Sequence, residues 1–419
     1  MSPIRRLLLA AGSVGLLSIV FGAAAVAGSP SSMEALGKAI FFDENLSINQ
    51  NESCATCHGP EYGFTGPNDD INAHGAVYEG SIAGRFGNRK PPSSAYATLS
   101  PILHLDRHGT WVGGNFWDGR ATGEILGNPA ADQAQGPFTN PAEQALPDSA
   151  CVVYQVSMAA YTDDFTSVWK IDLSSVDWPS EIETICKTEG GEVLLSDADE
   201  ATVATAFDAV ALSIAAYEGS PEVNTFSSKY DLTFGGRAKL TKEEQRGLAL
   251  FRGKGGCTAC HPANGKQALF TDFTYDNLGV PANPENPALI ADPTYVDGGL
   301  GAYLKSVGYR EYQDEMGKQK VPTLRNVGLS PFETSTKAYT HNGYFKTLEG
   351  IVHFYNTRDV LPRCDDAYTE AEALAANCWP APEVSMNVNH DELGNLGLSA
   401  DDEAAIVAYL RTLSDGYGN

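Results

Sequence analysis

Apolar positions along the chain recur at helical spacing in several stretches and alternate at strand spacing in very few. In residues 199–218, "DEATVATAFDAVALSIAAYE", Val203, Phe207, Val210, Ile214 and Tyr217 fall on one face. Near the C-terminus "SADDEAAIVAYLRTLS" repeats the pattern with Ile406, Leu410 and Leu413. Each predicted helix closes one half of the chain, and each half opens on another: "LGKAIFFDENLSINQNESCATCH" faces "QRGLALFRGKGGCTACH". The second opening helix begins at Thr241, which forms a capping box with Glu244. Between the halves, "GSPEVNTFSSKYDLTFGG" is turn-rich and reads as a linker. Leu348, Val352 and Tyr355 share a face of one further helix. With 42 glycines and 23 prolines, the pattern predicts a mainly α chain of short helices joined by long ordered loops.

The N-terminus adds a compartment. Arg5 and Arg6 precede an apolar run from Leu7, and Ala25-Val26-Ala27 supplies a small-residue cleavage site, so residues 1–27 read as a secretory signal peptide. An uncleaved anchor would want a longer apolar span with basic flanks on its far side. No later stretch reads as long and apolar enough to span a bilayer. The mature chain is therefore expected in an oxidising compartment, as two domains over residues 28–225 and 226–419. A net charge of −25 argues against nucleic acid and anionic lipid, and favours a basic docking partner.

The eight cysteines are of two kinds. Cys151, Cys186, Cys364 and Cys378 stand singly and read as disulfides; nearest-neighbour pairing joins Cys151 to Cys186 and Cys364 to Cys378, one of three connectivities open to four cysteines. The others lie in two C-x-x-C-H motifs, Cys54-Cys57-His58 and Cys257-Cys260-His261. Such a motif attaches c-type haem through two thioethers and offers its histidine to the iron. A single copy also fits a metal or redox C-x-x-C. Two copies, each ending in histidine, in an exported chain point to two covalently bound haem c groups. A haem between an opening and a closing helix is a cytochrome c arrangement, here twice over.

From about Leu36 to Leu413 the chain resembles the bacterial di-haem cytochrome c peroxidase family, which includes the MauG branch. The phrases that carry the resemblance are "LGKAIFFDENLS", "CATCHGP", "FWDGRA", "QAQGPFTNPAEQ", "FTYDNLGVP", "KVPTLRNVGLS", "THNGYFKTLEGIV" and "LGLSADDEAAIVAYLRTL". The resemblance implies a periplasmic enzyme in which one haem relays electrons and the other, on His58, reduces hydrogen peroxide. It implies that Glu143 moves a proton between the peroxide oxygens, a step that needs a positioned acid-base group. Gln133 would orient the peroxide, Trp117 would carry electrons between the haems, and Arg120 would offer charge to a propionate or oxyanion. Arg325 would serve a propionate of the second haem. Taken without the family, Glu143 reads as a solvated loop carboxylate and Trp117 as a core aromatic.

Three positions depart from the common pattern. His74 lies sixteen residues after His58, where many relatives carry a histidine that caps the first haem at rest, but its segment lacks the other landmarks. Lys90 stands where an asparagine is expected to hold calcium between the haems; a cation cannot ligate Ca2+, so that site is either lost or built from other oxygens, carbonyls near Thr336 and Ala338 among them. Tyr355 lies fourteen residues after His341 of the "HNG" turn, the place of a methionine ligand in ordinary peroxidases and of a tyrosine in the MauG branch. A phenolate is a hard anion that favours higher oxidation states of iron, whereas a thioether favours the reduced state. Met386 and His353 are the weaker alternatives. Gly255 stands where MauG carries a surface tryptophan.

Three functions follow as expectations. One is a peroxidase supplied by a small periplasmic c-type cytochrome or copper protein; a second is a MauG-like enzyme that uses peroxide to oxidise residues of a protein substrate; the third is a non-enzymatic di-haem electron carrier.

Overall fold

The computed structural model describes residues 32–418, so the signal peptide expected at residues 1–27 lies outside the described residues. Helices dominate. Two short antiparallel pairs, His104–Leu105 with Trp111–Val112 and Tyr275–Asp276 with Gln319–Lys320, are the named strands among the described residues. The chain is thus mainly α, as its periodicity predicts.

The two halves are built alike. The opening helix Ser32–Phe41 packs on the closing helix Asp197–Glu218, and Lys242–Arg252 packs on Ala400–Arg411. A glycine sits at each crossing. A Cβ on Gly37 would lie 1.8 Å from the Ser213 carbonyl oxygen, and one on Gly247 would lie 1.8 Å from that of Ala405. One turn further on, Phe41 meets Tyr217 edge-on at 5.3 Å and Phe251 meets Tyr409 at 5.2 Å. Glycine thus sets the separation of each helix pair, and an aromatic pair fills the adjacent layer. Capping boxes at Thr241 with Glu244 and at Ser399 with Asp402 fix the starts of two of these helices.

The largest apolar cluster runs from Leu36 to Val223, and a second from Tyr230 to Leu413. A third gathers Tyr344, Phe345 and Phe354 around the fully buried Trp379. The disulfides join Cys151 to Cys186 and Cys364 to Cys378, the nearest-neighbour connectivity.

Two expectations need correction. Asp197–Glu218, at 22 residues and mean hydropathy 1.2, passes the length and composition test for a membrane span; half of its apolar window is buried against the rest of the protein, as befits a core helix. The turn-rich stretch between the halves contains the helix Lys229–Thr233, started by a capping box of Ser228 and Asp231 and anchored by the buried Tyr230. One helical turn is too short to leave a periodic signal in the sequence.

Candidate active site

Each C-x-x-C-H motif opens onto a cavity. The one at His261 holds about 1810 Å3 of empty space including its mouth, and the one at His58 about 770 Å3. His261 Nδ1 lies 2.7 Å from the Phe270 carbonyl, which can only accept, so Nδ1 carries the proton and Nε2 keeps its lone pair. His58 is held in the same way by the Phe64 carbonyl at 3.1 Å, with Ser94 Oγ at 3.2 Å. Burial lowers both imidazoles, His58 to about 4, so each is neutral, with Nδ1 tied back and Nε2 the candidate ligand atom.

Burial pushes the Cys54 and Cys257 thiols up to about 12 and raises Cys57 and Cys260 as well, so all four are protonated thiols in the chain by itself. Half-buried paired thiols beside a neutral imidazole fit a c-type haem at each motif; Cys257 and Cys260 border their cavity with His261, while at the first motif His58 alone borders it.

Tyr355 lines the same cavity as Cys257, Cys260 and His261. It rides on the helix Leu348–Thr357, whose N-cap Thr347 accepts from the Gly350 amide, and Leu348 and Val352 border the cavity beside it as their shared face predicts. Burial raises the Tyr355 hydroxyl above the ordinary phenol range, with Arg358 opposing the shift. The phenol therefore stays protonated unless a cation such as ferric iron stabilises its anion. The two competing ligands are placed elsewhere: Met386 is exposed, and His353 Nδ1 pairs with Glu403 at 3.1 Å.

Trp117 borders both cavities, as do Pro92, Lys320 and Val321. Its indole N–H donates to the Lys90 carbonyl at 2.8 Å, which fixes the ring in this common wall. On the His58 side Gln133 borders the cavity from the helix Pro129–Thr139, ten residues before Glu143. Glu143 follows that helix; burial raises its carboxyl above the usual range while Arg120 pulls the other way. Its carbonyl accepts from the Ser81 amide at 2.8 Å, and it stands outside the residues that border the His58 cavity. Arg120 lies over the Phe116 ring at 3.9 Å and pairs with Asp118 at 2.8 Å.

Two predicted roles meet different surroundings. His74 caps the helix Asp69–Ala73, turns Nδ1 back to the Asp70 carbonyl at 2.7 Å, and stands with its side chain 61 % exposed outside both cavities. Arg325 borders the second cavity but spends three donors inside the protein: two on Asp231 at 2.8 Å each, and one on the Ala268 carbonyl. This fully buried pair ties the linker helix to the second half.

Several residues went unread in the sequence. Glu52, in "NESCATCH", is 5 % exposed, has one carboxylate oxygen without a partner, and is raised by burial to about 7. Glu218 borders the first cavity and is raised to about 8. Lys337 is buried and Lys320 half-buried along the second cavity, where sequence alone puts lysines on the surface. The position of Glu52 beside the haem motif is the one signal that was available.

Residues 31–239 match the family model described as di-haem cytochrome c peroxidase. The chain is 35 % identical to the methylamine utilization protein MauG of Paracoccus denitrificans, over 92 % of this chain and 89 % of that protein. It is 28 % identical to a cytochrome c551 peroxidase of Nitrosomonas europaea, over 78 % of this chain and 74 % of the relative. Among solved structures, the diheme peroxidase BthA of Burkholderia thailandensis superposes with a TM-score of 0.70 at 29 % identity, covering 93 % of this chain and 87 % of BthA. With paired haem-attachment motifs on two cavities and this likeness along nearly its whole length, the chain belongs to the di-haem cytochrome c peroxidase family and is an oxidoreductase.

Proposed function

We propose that the protein is an exported, periplasmic c-type peroxidase that reduces hydrogen peroxide at a haem on His58. A second haem, on His261 and Tyr355, passes on electrons from a small redox protein, a c-type cytochrome or a copper protein. Each haem belongs to a cytochrome c-like domain, over residues 28–225 and 226–419. The observation that carries this reading is the common wall: Trp117 borders a cavity with His58 and Gln133 on one side and a cavity with His261 and Tyr355 on the other.

When bound, the haems supply the iron that exchanges electrons with peroxide; the chain supplies position and protons. Reduction to two waters consumes two electrons and two protons. Gln133 presents its amide to the bound peroxide. Glu143, raised by burial and restrained by Arg120, takes the proton from the near oxygen and returns it to the far one, so that the departing oxygen leaves as water. The Lys90 carbonyl holds the Trp117 indole at a fixed angle, so the ring need not reorient when it gains or loses an electron.

Tyr355 favours a second reading, in which a phenolate at the second iron directs oxidising equivalents to residues of a partner protein, as the MauG-like resemblance implies. The two readings separate in one preparation. Turnover of peroxide with reduced cytochrome c supports the first, and a peroxide-dependent mass change in a co-purifying protein supports the second. Neither, with both haems bound, leaves an electron carrier.

A further inference from the structure

Between the cavities the chain buries cations where the resemblance leads one to expect oxygen ligands for a metal ion. Lys337 Nζ donates to three backbone carbonyls, those of Tyr62, Asn326 and Leu329, at 2.7, 2.6 and 3.1 Å. Lys90 Nζ donates to Thr65 Oγ1 at 2.7 Å and to the Pro91 carbonyl at 2.9 Å. Both side chains border the second cavity and are almost fully buried, at 8 % and 6 % exposure. Converging carbonyls are what a protein presents to a hard cation, and here an ammonium on the chain itself receives them.

The atoms present suit calcium poorly: the side chain due to ligate it is the Lys90 ammonium, which can only donate, and one of the two lone pairs of the Thr336 carbonyl is taken by Asn72 Nδ2 at 3.0 Å. A divalent ion added beside two buried ammoniums would also meet strong like-charge repulsion at low dielectric.

We propose that the ammoniums of Lys90 and Lys337 replace a divalent cation between the two centres, bringing the same two positive charges, so that the enzyme is complete without calcium. The replacement is coupled to the electron path. Lys90 accepts the Trp117 indole N–H at its carbonyl, and its own amide donates to the His341 carbonyl at 2.8 Å. Neither ammonium has a carboxylate among its hydrogen-bond partners, and a buried charge without a partner anion is strongly disfavoured. Burial without such an anion lowers Lys90 to about 7, and burial together with the neighbouring Lys90 takes Lys337 well below the usual lysine range. Haem propionates are the anions that would hold both in the charged form, and this part of the proposal rests on the two-haem reading.

The test uses the holoprotein, with its haems counted by pyridine haemochrome and its metals by plasma mass spectrometry. The ferric spectrum and thermal midpoint are recorded before and after EDTA, and again after added calcium. The expected result is calcium far below one per chain, with neither treatment moving the spectrum or the midpoint. One calcium per chain whose removal alters the ferric spectrum overturns the proposal. Lys337→Met and Lys90→Met, in preparations that keep both haems, are expected to shift the ferric spectrum; parental spectra in both variants overturn it equally. A haem count below two faults the two-haem reading and leaves the metal count to be judged by itself.

Discussion

Glu143 and Tyr355 face opposite demands on their protons. In the mechanism proposed above Glu143 accepts one near neutral pH, and burial raises its carboxyl above the usual range. The carboxylate form is the active base, so peroxide reduction is expected to rise with pH through a titration above the ordinary carboxylate range and then level off. Glu143→Gln should keep both haems, remove that limb from the stopped-flow pH profile, and slow the reaction by roughly two to four orders of magnitude. An unchanged rate would take Glu143 out of the mechanism. Tyr355, in contrast, has to lose a proton that burial holds tightly, and iron is the cation that would release it. Tyr355→Phe preserves the packing and removes the oxygen. The ferric spectrum and reduction potential of the second haem are expected to change in that variant; if neither moves, the tyrosine is packing alone.

At the scale of elements, the glycine at each helix crossing should respond unlike an ordinary helical glycine. Gly247→Ala places a methyl against the Ala405 backbone carbonyl, which no side-chain rotation relieves, and overpacking of this kind costs about 1–3 kcal/mol. Gly37→Ala repeats the test in the other half, where the methyl meets the Ser213 carbonyl. Urea unfolding of the two holoprotein variants is expected to show a loss of stability in each, and unchanged midpoints in both would remove glycine from the crossings. These helices were legible because Val203, Phe207 and Val210, or Ile406 and Leu410, mark their buried faces. The haem motifs were legible because their chemistry lies in contiguous residues. Features made by distant contacts were not. Lys337 meets the Tyr62 carbonyl from the other half and Lys90 meets Thr65 from another loop, and Arg325 finds Asp231 only after folding. The spacing of His74 from His58 was visible, but not that its ring would turn back to its own helix.

The whole chain carries a net charge of −25, a field that would draw in a basic redox partner of the kind proposed above. The rate at which peroxide oxidises a reduced basic cytochrome through this enzyme should fall as salt is raised past ~0.1 M, where the screening length shortens to ~10 Å, while a neutral donor shows little dependence. A rate independent of salt with the basic donor would remove electrostatic steering. The common wall bears on how the molecule can be divided. The His58 cavity borrows Leu269, Thr271 and Phe273 from the second half, and the His261 cavity borrows Gly63, Thr65 and Lys90 from the first. Separate expression of residues 28–225 and 226–419 is expected to yield fragments whose haem spectra differ from those of the corresponding centres in the intact protein, and mixing the folded pieces should bring the spectra back towards it. Although the halves look like copies, they are not interchangeable parts: a half transplanted from a relative would arrive with a wall cut for another neighbour, so a change on either side of Trp117 has to be matched on the other.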